Sequence, residues 1–129
     1  MLKVVLDANV WISALIGAGN PREIITAFKA GAFHAFYPNH LLVELPDALA
    51  RPKLRGRLTP DDVAELLDLI KTKAILIEPE VMPTASPDPK DNPYLGCAES
   101  GECEYLVTGD HKHLLVLGQF GTTRIVAYF

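Results

Sequence analysis

The sequence predicts an α/β fold, a three-layer sandwich in which a mostly parallel sheet of about five strands lies between helices. Three observations lead there. Short apolar runs alternate along the chain with stretches of helical apolar spacing, as parallel strands joined by helical crossovers do. The run LKVVL is apolar almost throughout, as strands covered on both faces are. Two β-branched runs, VVL and YLV, lead into an aspartate and then a turn, and in an open α/β sheet ligands bind at the carboxyl ends of the strands.

In order, residues 2–6 read as a buried strand closed by Asp7. Residues 9–16 read as a short helix with Val10, Ile12 and Leu15 inward. Gly17-Ala18-Gly19-Asn20-Pro21 breaks it, and residues 21–30 form a second helix, with Ile24, Ile25 and Phe28 on one stripe and a stop at Gly31. The aromatic alternation FHAFY predicts a strand over 33–37. Pro38-Asn39 opens a helix through HLLVEL, which Pro46 either kinks or restarts as PDALAR. RPKLRGR is a basic break. Thr59-Pro60-Asp61-Asp62 then signals a helix start, with Val63, Leu66, Leu67 and Ile70 as the apolar face. A third strand is expected over 74–77. Residues 79–93 hold five prolines and form a loop that delivers Asp91 to the helix of residues 94–100. Strands over 104–108 and 124–127 complete the sheet.

At 129 residues the chain is expected to be one domain, residues 1–129. A hydrophobic fraction of 49% gives it a core and argues against disorder. The net charge of −4 argues against an overall basic nucleic-acid surface, but not against a local basic strip. Met1 leads straight into LKVVL, with no leader pattern and no apolar run of membrane-spanning length, so a cytoplasmic location is expected. Cys97 and Cys103 make neither a zinc framework nor an evident disulfide; Cys97 reads as a buried helix residue and Cys103 as part of the turn before a strand.

The chemistry lies in four acids: Asp7, Glu44, Asp91 and Asp110. Singly each has an ordinary reading, Asp7 and Asp91 as helix caps, Asp110 as a turn residue and Glu44 as a solvent-facing side chain. If the first and fourth strands are neighbours, Asp7 and Asp110 end at one rim. Gathered carboxylates repel one another and resist burial unless a positive charge intervenes, and a hard divalent cation with oxygen ligands, Mg²⁺ or Mn²⁺, is the simplest remedy. His111 and His113 form an HxH pair after Asp110, but a zinc site needs further close ligands that the sequence does not show, so a polar turn contact is preferred.

DANVWISAL, the glutamate of NHLLVEL, DPKDN followed by CA, and YLVTGD resemble the ordered signatures of the PIN-domain family. RPK after the second signature and TGD-x-x-HLL near the end resemble its VapC-like branch, the ribonuclease toxins of type II toxin–antitoxin pairs. The resemblance spans residues 2 to about 126. It implies a PIN-like nuclease domain whose acids bind Mg²⁺ or Mn²⁺ and cut single-stranded RNA. Asp7, Glu44, Asp91 and Asp110 are then the catalytic and metal-binding residues, with Asn9 and Thr108 orienting them. Asp88 competes with Asp91; the spacing of Asp91 to the small residue Ala98 is the one familiar in such domains. An antitoxin protein and a homodimer are implied in the same way. The chain stops at IVAYF, where relatives commonly continue, and this bears on the packing of its C-terminal segment.

Arg51, Lys53, Arg55 and Arg57 form a basic cluster that either tracks an RNA backbone or is a solvated turn, and His113 is a candidate substrate contact. Arg22, Lys112 and Arg124 are further cations. Trp11 reads as helix packing or a dimer contact before base stacking. Two other functions compete: a phosphatase-like hydrolase with Asp7 as nucleophile, and a nuclease-fold protein that only binds RNA or a partner.

Overall fold

A computed structural model describes residues 1–17, 19–54, 56–110 and 112–128. The element order is β1 (Lys3–Leu6), α1 (Ala8–Ile16), α2 (Asn20–Lys29), β2 (His34–Tyr37), α3 (His40–Asp47), α4 (Pro60–Lys73), β3 (Ile75–Leu76), α5 (Asn92–Ser100), β4 (Tyr105–Thr108), β5 (Gln119–Phe120) and β6 (Thr123–Ala127). Short 3₁₀ turns fill the connections. The strands form one sheet in the order β3-β2-β1-β4-β6-β5, parallel except for β5 against β6.

From β1 the chain steps outward to β2 and β3, then returns across the sheet to β4. Right-handed crossovers therefore place α1–α4 on one face and α5 on the other. Because the order reverses between β1 and β4, the carboxyl ends of these two strands flank a switch point, where this architecture leaves a crevice. The register pairs Leu6 with Val107, which sets Asp7 beside Thr108 at that rim.

The core explains why the elements stand where they do. Val5, Leu6 and Leu106 are buried in the sheet, Val10, Trp11, Leu41, Leu45 and Ile70 close over one face, and Tyr94, Leu95 and Cys97 come from α5. Gly96 lies under the proline-rich loop: a Cβ there would stand 2.6 Å from the Pro79 Cβ and 2.9 Å from the Pro83 Cδ, so only glycine lets the loop close on α5. Trp11 is a packing residue, edge-on to Phe28 with ring centroids 5.5 Å apart.

Several expectations change in detail. Pro46 lies inside the helix of HLLVEL; α3 runs on to Asp47 and is followed by a 3₁₀ turn over Ala48–Ala50. Pro46 is the last residue but one of α3, so the helix forgoes only the one bond that an N–H there would give to the Leu42 carbonyl before it ends. The third strand shrinks to Ile75–Leu76, although the Ile77 N–H still donates to Tyr37 at 3.0 Å. The sheet has six strands rather than five, because Gln119–Phe120 pairs back on β6 through a turn with Gly121 at φ 58°. Two residues between glycines are too short to show a periodicity. The Thr59 start is a full capping box, with the Thr59 and Asp62 side chains accepting from each other's backbone N–H. Cys97 and Cys103 are free and buried, and burial pushes the Cys103 thiol up to about 12.

Candidate metal centre and active site

Asp7 leaves β1 in extended conformation and caps α1: one carboxylate oxygen accepts from the Val10 N–H at 3.1 Å, the other from the Thr108 hydroxyl. Thr108 is fully buried at the end of β4, and its oxygen also accepts from the Asp110 N–H at 2.9 Å. One hydroxyl thus ties both strand-end acids together. Asp110 turns its carboxylate onto its own loop, with Oδ1 accepting from the Lys112 and His113 N–H groups at 3.0 Å and Oδ2 lying 3.2 Å from His113 Nδ1.

Glu44 projects from α3 and accepts from the Tyr94 hydroxyl at 2.7 Å. His40, one turn earlier, brings Nε2 within 3.0 Å of the same oxygen, a charge contact outside hydrogen-bonding angles. Asp91 stands at the N-terminus of α5 but makes no side-chain capping bond. Its Oδ2 accepts instead from Ser86 Oγ at 3.4 Å, which leaves the carboxyl facing its acidic neighbours. Asp88 caps the preceding turn through the Lys90 N–H at 3.1 Å.

The charges are under-compensated. Asp7 is pushed up to about 6, first by burial and then by repulsion from Glu44 and Asp110, against the opposing bonds from Thr108 and Val10. Asp91 is also raised, by burial and by Asp110, Asp88 and Asp7. Burial pushes Asp110 upward too, but the bond from protonated Asp91 and the donors of His113 outweigh it and hold Asp110 low. The pair is best described as two carboxyls sharing one proton. Burial and Glu44 raise the Tyr94 phenol, so it stays a donor. Among the described residues no lysine or arginine pairs with any of these acids; their ion-pair partners are the imidazoles of His40 and His113. Oxygen donors, crowded and short of positive charge, fit a hard divalent cation.

The structure therefore brings the four acids and Thr108 into one electrostatically coupled group. Asp88 lies beside Asp91: Asp88, Asp91 and His113 offer ligand atoms within 4.8 Å of one another. Asn9 is exposed on the first turn of α1 and has no bond to a carboxylate among the described residues. With Arg51, Lys53, Gly109 and Tyr128 it lines a neighbouring hollow of about 280 Å³. Arg55 and His111 lie outside the described residues. Sequence reasoning missed His40, Tyr94, Ser86 and Tyr128. Of these only His40 carried a signal, its i,i+4 spacing to Glu44.

Replacing Thr108 by valine keeps the volume but removes the donor to Asp7 and the acceptor for Asp110. We expect a loss of about 1–3 kcal/mol in urea unfolding of the metal-free protein, with no comparable loss for Thr122→Val at the exposed β5–β6 turn.

Strand order, switch point and acid-lined rim define a doubly wound α/β domain with a carboxylate-rich crevice. The family model described as PIN domain matches residues 3–112, and the chain belongs to the PIN-domain family. An uncharacterized protein of Methanocaldococcus jannaschii is 29% identical over 118 residues, 90% of this chain and 75% of that protein. The fold is similar to a chain in the crystal structure of VapBC2 from Rickettsia felis bound to a DNA fragment from their promoter. That similarity has a TM-score of 0.60, 11% identity and coverage of 98% of each chain. Among the described residues no helix is long and apolar enough to cross a membrane.

Proposed function

We propose that this chain is a single PIN-like nuclease domain, a metal-dependent endoribonuclease that cuts single-stranded RNA as the toxin of a toxin–antitoxin pair. The observation that carries the reading is the coupled group of Asp7, Glu44, Asp91 and Asp110 at the switch point, with no lysine or arginine paired to it among the described residues.

Asp7, Glu44, Asp91 and Asp110 are the residues that would hold Mg²⁺ or Mn²⁺. Such an ion, when bound, neutralises phosphate charge and makes water a better nucleophile at neutral pH. Thr108 fixes the Asp7 carboxylate and Tyr94 fixes Glu44, so the acids are oriented before substrate arrives. The reaction is hydrolysis of a phosphodiester by water, leaving a 5′-phosphate and a 3′-hydroxyl, with no covalent enzyme intermediate.

The hollow beside the rim supports the substrate assignment. Asn9 and Gly109 connect it to Asp7 and Asp110 along the chain, Arg51 and Lys53 supply positive charge, and no acid lines it among the described residues. A single-stranded backbone can run there toward the acids. Replacing both Arg51 and Lys53 by alanine should raise KM about tenfold with kcat nearly unchanged, and lower the salt slope of binding by about 1.4, two phosphate contacts on a single strand. An unchanged salt slope would mean that the pair is only a solvated turn.

The VapBC2 likeness supports a partner antitoxin; a homodimer and a cytoplasmic place of action belong to the same proposal. The reading is tested with one labelled RNA presented single-stranded and as a duplex, in Mn²⁺, Mg²⁺ or EDTA, with end analysis of the fragments. Cutting confined to the single strand, dependent on the cation and leaving 5′-phosphates, is the expected result. Cutting that persists in EDTA would overturn it.

A further inference from the structure

His111 and His113 read in the sequence as a polar turn because no further ligands are evident. In the folded chain two appear. Asp88 and Asp91, from the proline-rich loop, come to within 4.8 Å of a ring nitrogen of His113, all three ligand atoms lying that close to one another. Bonds of roughly 2.0–2.2 Å to one divalent ion place its ligand atoms roughly 3–4 Å apart, so a small inward shift suffices.

The imidazole is also oriented from behind. Its Nδ1 lies 3.2 Å from Asp110 Oδ2, and the His113 N–H donates to Oδ1 of the same carboxylate at 3.0 Å. With Nδ1 given to Asp110, Nε2 is the nitrogen open to a ligand. A carboxylate behind a histidine is the arrangement that sets ring orientation and tautomer in metal sites. Asp110 thus braces the turn and His113 while also facing Asp91, and Asp88 keeps one oxygen without a partner among the described residues, since its bond to the Lys90 N–H uses Oδ1. The histidine side chain is 35% exposed, so one side of the trio stays open to water or substrate.

We infer that Asp88, Asp91 and His113 form a second, mixed oxygen–nitrogen cation position, with Asp91 shared with the acidic centre and Asp110 acting as a positioning residue behind His113. This rests on the reading of the acidic group as a cation-binding nuclease centre. A nitrogen donor changes which ion is favoured. Mg²⁺ takes oxygen ligands and releases its waters reluctantly, whereas imidazole suits Mn²⁺ less than Co²⁺ or Zn²⁺ but is accepted by all three. This position therefore selects a first-row transition ion over Mg²⁺, and this chain differs in that respect from an all-carboxylate centre.

The test uses the full chain stripped with chelator and reloaded with Mn²⁺ alone. Pulsed EPR of bound Mn²⁺ should show a ¹⁴N coupling in the wild type that disappears in His113→Ala. Asp88→Asn, which keeps the Lys90 cap, guards against misfolding of the first variant. Co²⁺ affinity should fall at least tenfold in both variants, while Mg²⁺ affinity stays within about threefold. Mn²⁺ bound without nitrogen coupling, a coupling that survives His113→Ala, or Mg²⁺ affinity falling in parallel would each overturn the inference. If RNA is cut and Mn²⁺ binds through oxygen alone, only the second position fails. If the nitrogen coupling is present and no RNA is cut in any cation, the nuclease reading fails instead.

Discussion

Asp7→Asn should abolish RNA cleavage and at the same time make the metal-free protein more stable at neutral pH. The two effects come from one carboxylate. Asp7 is buried, and its pKa rises from 3.8 to about 6. The sign follows from proton counting: between these values the folded chain holds a proton that the unfolded chain has lost. Stability therefore falls as pH rises from about 4 to 6, and above that window the whole cost of the buried charge, about 3 kcal/mol, is present. Asparagine carries no charge, and its oxygen can still accept from the Val10 N–H while its amide meets the Thr108 oxygen. The gain should be absent at pH 4 and full near pH 7.5, as read by urea unfolding in EDTA. Saturating Mn²⁺ should stabilise the wild type and not the variant. Cleavage should fall by at least roughly a thousandfold, to background. A variant less stable than wild type at pH 7.5 without metal would show that Asp7 is already neutralised within the fold.

Trp11→Ala should cost about 3–5 kcal/mol, a loss that lowers Tm on the order of 15 °C. Trp11 is fully buried in α1, the helix that Asp7 caps, and its ring meets Phe28 edge-on. Its indole N–H is buried without an acceptor among the described residues. Trp11→Phe therefore removes an unmet polar group along with some volume, and should cost less than half as much. Urea unfolding of both variants checks this. A cost below 1 kcal/mol for alanine would mean that α1 is not held by this residue.

The sheet was legible where long apolar runs meet strong punctuation. VVL before Asp7, YLV before Thr108 and the Thr59-Pro60 start fall where the sequence placed them, because burial on both faces and capping act locally. β3 and β5 were not legible in length or existence, since two-residue edge strands take their pairing from neighbours distant in the chain. The neighbouring of Asp7 and Asp110 was conditional on strand order, which no local pattern encodes. Tyr94 shows the same limit. Its position after Asn92-Pro93 reads as ordinary helix, and only the approach of α5 to α3 brings its hydroxyl to Glu44. The proximity of Asp88 to His113, across 25 residues, had no signal at all in the chain.

The central claim is that the acids at the switch point form a cation-dependent cutting centre for RNA. Its most direct test is cleavage of a labelled RNA mixture by purified wild type and Asp7→Asn, side by side, in Mn²⁺, Mg²⁺ and EDTA. The account predicts cutting by the wild type in a divalent cation, none in EDTA, and none by Asp7→Asn in any of the three. Cutting by Asp7→Asn at the wild-type rate would contradict it and place the activity elsewhere.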